Sequence, residues 1–300
     1  MQTAVAIIAL LALSGMIAGA QEGAGVVADG AEPVLVQDGF QFTEGPAREV
    51  ARSVVFSDVR ASCRYRWTPD SGEVTLVAED TGGANGMYFA PDGGLVVCEG
   101  NRGRMTAISP DGDVAVLADE YDGAGLNRPN DVWVAPDGGV YFTDPLYGRG
   151  ELTQDGEHVY YVPPGGGEVV RAIDWMTKPN GLIGTPDGKT LYVTDHGAGQ
   201  TWRFTVGEDG ALTDRSLYVE HGGDGMTIDA AGNVYLATEG VMAFSPDGEL
   251  IEQIDLPVRP TNMCFAGPDL RTLFITARDC VFTVAMRVAG AERSEVKSEK

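Results

Sequence analysis

The sequence predicts an all-β protein, a six-bladed β-propeller, from three observations. First, one unit recurs six times: EGPAREVARSVVFSD from Glu44, NGMYFAPDGGLVVCEG from Asn85, NDVWVAPDGGVYFTD from Asn130, NGLIGTPDGKTLYVTD from Asn180, DGMTIDAAGNVYLATEG from Asp224, and TNMCFAGPDLRTLFITARD entering at Asn262. Second, the copies start 41, 45, 50, 44 and 38 residues apart, which is the length of one four-stranded blade. Third, the segments between them, such as RMTAISPDGDVAVLA from Arg104 and VMAFSPDGELIEQI from Val241, alternate in polarity about turns, and no helical periodicity appears anywhere. Six such sheets closed in a ring leave few open edges. A two-sheet sandwich would give no reason for a polar residue at the same place in six copies.

The stretch from Leu126 to Gly148, LNRPNDVWVAPDGGVYFTDPLYG, shows how one unit is built. Pro136 presets φ, Asp137 bonds the local backbone, and Gly138 and Gly139 admit positive φ, so the flanking apolar runs fold back as a hairpin. Its polar end, with Asn127, Arg128, Asn130 and Asp131, faces something. The other copies keep the same order of polar residue, strand, turn and second strand, and that strand often ends in Asp or Glu.

The ends of the chain differ from this pattern. Residues 1–20, MQTAVAIIALLALSGMIAGA, form an apolar run closing on small residues, which reads as a secretory signal although it carries no Lys or Arg. Export to the periplasm or medium is expected, with no stable membrane span after signal removal; an uncleaved N-terminal anchor is the alternative. Residues 21–31 read as a flexible Gly/Ala-rich lead-in, 32–288 as one propeller domain, and 289–300 as a polar tail that frays.

Composition narrows the function. At 300 residues and 43% apolar content, the chain has a full core. Its 44 acidic residues against 21 basic ones give a formal charge of −23, which disfavours nucleic acid as a partner because phosphate binding needs clustered Lys and Arg. A cation and a small-molecule ligand fit better. Cys63, Cys98, Cys264 and Cys280 allow disulfides in an oxidising compartment, with Cys264 and Cys280, read as lying on adjacent strands, the favoured pair.

The first strand of each propeller blade lines the central channel, so Glu44, Asn85, Asn130, Asn180, Asp224 and Asn262 should converge there. Singly, Asn-Gly and Asp-Gly mark turns, but glutamate in the same slot has no such preference. A ring of oxygens suits a hard divalent cation, most simply Ca2+, with Zn2+, Mn2+ or Mg2+ as alternatives. Glu44 and Asp224 would balance its charge, Asn130 and Asn180 would add neutral oxygens, and the remaining positions would stay open to water or substrate.

From about Phe42 to Val284 the chain resembles the SMP-30/gluconolactonase/LRE-like family, through FTEGPA, NRPNDVWVAPDGGVYFTDPLYG, TPDGKTLYVTD, GDGMTIDAAGNVYLAT and NMCFAGPDLRTLFITA in order. The resemblance implies a six-bladed propeller with a divalent cation in the channel, commonly calcium, and hydrolysis of sugar lactones or related esters. It also implies metal contacts at Glu44, Asn180 and Asp224, with Asn130 as a further ligand or substrate contact and Arg128 orienting the substrate.

The expected mechanism is cation polarisation of a lactone carbonyl with carboxylate-assisted attack by water. Asp224 is the first candidate base and Asp131 the second. Neighbouring strand residues point to opposite faces, so Asp131 reaches the channel only if the backbone there is irregular. Asn85, Asn262 and His196, the last in the loop after LYVTD, are further candidate substrate contacts. No Gly-x-Ser-x-Gly elbow, P-loop or dinucleotide fingerprint is present. The competing readings are a non-catalytic binding propeller with a structural ion, and an aryl esterase or phosphotriesterase using the same site.

Overall fold

The computed structural model describes residues 25–49 and 53–292, and those residues form six four-stranded antiparallel sheets with no α-helix. The expected signal segment lies outside them. No helix among the described residues is long and apolar enough to cross a membrane. Blade 1 runs through Thr43–Arg48, Val54–Asp58, Cys63–Trp67 and Val74–Glu79; blade 2 through Ala84–Phe89, Leu95–Glu99, Arg104–Ile108 and Val114–Ala118. Blade 3 comprises Val132–Val134, Val140–Asp144, His158–Val162 and Val170–Ile173; blade 4 comprises Pro179–Gly184, Thr190–Asp195, Gln200–Val206 and Leu212–Val219. Blade 5 is Met226–Ile228, Val234–Ala237, Val241–Phe244 and Leu250–Ile254, and blade 6 is Asn262–Ala266, Thr272–Ala277 and Cys280–Ala285. The fourth strand of blade 6 comes from the other end of the chain. Val34–Asp38 pairs antiparallel with Cys280–Ala285, Val34 opposite Thr283 and Asp38 opposite Cys280, so the first strand of the chain locks the last blade.

Burial follows position within the blade. Second strands such as Val54–Asp58 and Val140–Asp144 are buried at every residue, because both faces pack on neighbouring sheets. Outermost strands such as Val74–Glu79 and Val114–Ala118 are mostly exposed. The largest core cluster joins blades 3, 4 and 5 through Trp133, Tyr141, Leu191, Phe204 and Leu236.

Two expectations are corrected here. Cys264 and Cys280 are not on adjacent strands: Thr272–Ala277 lies between them, pairing Phe274 with Cys264 and Ala277 with Cys280. Two strand spacings, about 9–10 Å, exceed the reach of a disulfide, and all four cysteines are free thiols. The lead-in is also not loose from Gly25 onward: Val26 is buried, and the Glu252 carboxylate accepts the N–H groups of Val26 and Val27 at 2.7 and 3.0 Å. At the other end, the tail is held as far as it is described, Gly290 N–H bonding Leu270 O at 2.9 Å and Ala291 N–H bonding Ile228 O at 3.3 Å.

Candidate active site

The innermost strands of blades 1 to 5 start with a β-bulge. In blade 3, Asn130 N–H donates to Thr143 O at 2.8 Å while Thr143 N–H donates to Asp131 O at 3.0 Å, so two residues oppose one. Asp224 and Gly225 oppose Ala237 in the same way, at 2.8 and 3.0 Å. The ladder also shifts between Glu44 and Ala47, Ala84 and Met87, and Pro179 and Leu182. This is the irregular backbone that Asp131 requires to face the channel.

Hydrogen bonds between blades then fix which residues are equivalent. Gly86 N–H donates to Asn130 O at 2.7 Å, Gly181 N–H to Asp224 O at 2.9 Å, and Gly225 N–H to Thr261 O at 2.7 Å. The ring at the upper mouth, where the first strands begin, is therefore Glu44, Asn85, Asn130, Asn180, Asp224 and Thr261. Asn262 is displaced by one position from its expected place: it occupies the slot that holds Gly45, Gly86, Gly181 and Gly225 in other blades. In blade 3 that slot is Asp131.

The glycines of this slot are required by space. Gly86, Gly181 and Gly225 do not have positive φ, but a Cβ on Gly181 would lie 2.3 Å from Asp224 O, on Gly86 2.5 Å from Asp131 Oδ1, and on Gly225 1.9 Å from Asn262 Cγ. Four blades without side chains leave room for two that have them. Asp131 and Asn262 come from blades three apart, on opposite sides of the channel, and meet there, Asn262 Nδ2 donating to Asp131 Oδ2 at 3.5 Å.

The acidic residues that end the second strands brace the site without entering it. Asp58 accepts N–H groups from Gln41 and Phe42 at 2.8 and 2.9 Å, Asp144 from Asn127 and Arg128 at 2.7 Å each, and Asp195 from Thr177 and Lys178 at 2.8 and 2.9 Å. Each thereby fixes the backbone two and three residues before Glu44, Asn130 or Asn180. Hydroxyls one residue earlier tie successive blades: Ser57 Oγ donates to Asn85 O at 3.0 Å and Thr143 Oγ1 to Asn180 O at 2.8 Å.

Within the ring, Asn180 Nδ2 donates to Asp224 Oδ1 and to Tyr147 Oη, both at 2.7 Å. Three carboxylates share the channel. Burial pushes Glu44 well above the usual carboxylate range, and the charges of Asp224 and Asp131 push it further, against bonds from Gly45 N–H and Asn262. Burial raises Asp131 to about 7, with Asp224 adding to the rise and bonds from Val132 N–H, Leu182 N–H and Asn262 opposing it. Asp224 is also raised by burial, held back by Asn180 and the nearby charges of His196 and Arg259. Among the described residues, no three His, Cys, Asp or Glu side chains alone are grouped as a metal cage; amide oxygens would have to complete one. The donor set is suited to that, since every residue facing the three carboxylates in the ring offers oxygen and Asn85 Oδ1 is buried with no partner.

The other expected residues lie around this mouth. Arg128 donates to Tyr147 O at 2.8 Å and to Asn101 Oδ1 at 3.1 Å, so two of its donors hold loops. His196 Nδ1 lies 3.2 Å from Gly223 O, beside Asp224. Asn130 occupies its ring position, bonded through its backbone. Sequence reasoning missed Tyr147, because it lies in a loop that is long only in blade 3, and repeat comparison has nothing to set against the added residues.

A six-bladed propeller with buried carboxylates and amides gathered at one mouth is the class that fold and site define. The chain belongs to the SMP-30/Gluconolactonase/LRE-like family, whose model matches residues 42–279. A gluconolactonase from Zymomonas mobilis subsp. mobilis is 32% identical over 293 residues, spanning 85% of this chain and 82% of that protein. A pentonolactonase from Haloferax volcanii is 30% identical over 255 residues, spanning 81% and 83% respectively. Among solved structures, a gluconolactonase from Xanthomonas campestris superposes with a TM-score of 0.80 at 31% identity, covering 87% of this chain and 91% of that one.

Proposed function

We propose that this protein is an exported, divalent-cation-dependent hydrolase that opens sugar lactones, with calcium the cation. The observation that carries the reading is the convergence of Glu44, Asp131 and Asp224, each pushed up by burial, Glu44 further by the charges of Asp224 and Asp131 and Asp131 by that of Asp224. Buried like charges of this kind are costly without a cation. The names of the related gluconolactonase and pentonolactonase supply the substrate class.

Glu44, Asn180 and Asp224 would hold the ion, with Asn130 as a fourth oxygen donor. An ion held by these residues would supply Lewis-acid polarisation of a lactone carbonyl and charge to offset a developing oxyanion. Asp224 and Asp131 are the carboxylates placed to accept a proton from the attacking water. Asp131 is the one left free of ligand duty, and its carboxyl, raised by burial to about 7, can accept a proton near neutral pH. Asn85 offers its unpartnered amide oxygen to a sugar hydroxyl, and Arg128 and His196 border the mouth through which substrate enters.

The test is lactone opening by purified protein on glucono-δ-lactone and a pentonolactone, before and after chelation, with Glu44→Ala and Asp224→Ala alongside. Activity should disappear on chelation, return with calcium, and be lost in both variants. No opening above the background rate with calcium present, or full activity in both variants, would sink the reading.

A further inference from the structure

The loops joining second to third strands are short in five blades: 59–62, 100–103, 196–199, 238–240 and 278–279. In blade 3 the same loop runs over 145–157, thirteen residues. It lies at the upper mouth, because second strands end there, and it is fastened along its length. Asn127, itself buried, accepts the N–H groups of Thr153 and Gln154 at 2.9 and 3.1 Å and donates to Gly156 O at 2.9 Å. Gln154 Nε2 donates to Ala124 O at 2.7 Å. Near the start of the loop, Lys178 Nζ bonds Leu146 O at 3.1 Å and lies 4.9 Å above the Tyr147 ring, while Arg128 bonds Tyr147 O at 2.8 Å.

All of these fastenings converge on where one hydroxyl sits. Tyr147 Oη accepts Asn180 Nδ2 at 2.7 Å, and the same nitrogen donates to Asp224 Oδ1 at 2.7 Å. The amide nitrogen rather than its oxygen therefore faces Asp224. Turning the amide over would set its oxygen against Asp224 and lose that hydrogen bond, whereas Tyr147 Oη, able to accept or donate, holds the amide in place. Its oxygen is thereby fixed in the remaining direction.

We infer that Tyr147 is a positioning residue: through the latched 145–157 loop it holds the Asn180 amide with its oxygen toward the cation site. The inference rests on the proposed cation site but makes a separate claim about it. Partners that orient a metal ligand typically contribute 10- to 100-fold to metal affinity.

The test is Tyr147→Phe, which keeps the ring and removes only the acceptor oxygen. Calcium is titrated calorimetrically into the chelator-treated full-length protein, wild type and variant, and the melting temperature of the metal-free form is recorded for both. The expected result is an affinity loss of about tenfold with an unchanged metal-free melting temperature, and activity that recovers at saturating calcium. In an Asn180→Ala background, where no amide remains to be oriented, the same change should alter affinity less than twofold. An affinity within twofold of wild type for the single variant, or a tenfold loss that persists in the Asn180→Ala background, overturns the inference. Wild type that binds calcium and loses it in Asp224→Ala leaves the site reading standing while this inference falls alone; wild type that binds none overturns both.

Discussion

Replacing Asp131 by Asn tests the electrostatics of the channel through folding stability. Asp131 is only 7% exposed, and burial lifts its carboxyl from an ordinary 3.8 to about 7. The sign follows from proton binding. Between those two values the native protein holds a proton that the unfolded chain has released, so stability is fully present below pH 4 and is lost progressively as pH rises towards 7. Three pH units correspond to about 4 kcal/mol in all, of which about 2–3 kcal/mol falls between pH 5 and pH 8. The Asn side chain is nearly the same size and does not titrate. Asp131→Asn should therefore flatten the pH dependence of stability over this range by that amount, equivalent to roughly 5–10 °C in melting temperature. Scanning calorimetry of chelator-treated wild type and variant at pH 5, 6, 7 and 8 measures it. Glu44 and Asp224, also raised, add a slope of the same sign to both proteins; Glu44, which the Asp131 charge pushes up, loses part of its slope in the variant and so adds to the flattening. Parallel curves for the two proteins would refute the reasoning.

The glycine slot gives a second test. A Cβ at Gly181 would meet Asp224 O at 2.3 Å, and neither backbone can retreat without parting two blades, so Gly181→Ala should cost about 3 kcal/mol or more; Gly125→Ala, whose nearest neighbour is Asp119 O at 3.8 Å, should be neutral. Equal melting of the two variants would contradict the spatial account. Asp195→Ala leaves the N–H groups of Thr177, Lys178 and Ala198 without their acceptor. It should lower stability by about 3 kcal/mol and accelerate hydrogen exchange at those three amides, whereas unchanged exchange there would mean that Asp195 does not brace the approach to Asn180.

The propeller was legible because its information is repeated. Six polar starters at blade-length intervals, with turn residues between alternating strands, define the architecture whatever the detail of any one copy. Glu44, Asn130, Asn180 and Asp224 were legible for the same reason, and they occupy one ring. What repetition could not resolve was register. Asn262 precedes a strand just as Asn130 does, but the bond from Gly225 N–H to Thr261 O aligns Thr261 with the ring and moves Asn262 one position along. A slip of one residue changes which way a side chain faces, and only contacts between blades determine it. The N-terminal strand Val34–Asp38 was hidden for a related reason: its partner, Cys280–Ala285, lies at the far end of the chain.

The departures from the repeat are also where the chemistry concentrates. Six equivalent blades can supply a ring, but a ring of like residues cannot distinguish a proton acceptor from a ligand. The asymmetry enters at two levels. At the glycine slot, blades 3 and 6 carry Asp131 and Asn262 where four others carry none, and because these blades face each other the two side chains span the channel. Above the ring, blade 3 alone extends a loop, and that loop brings Tyr147 to Asn180. Blade 3 thus departs from the common pattern at both levels, within the single stretch from Asn127 to Gly156. A residue in that stretch is informative to the extent that the other five blades lack it, which is why comparison between repeats located the site and could not assign the roles within it.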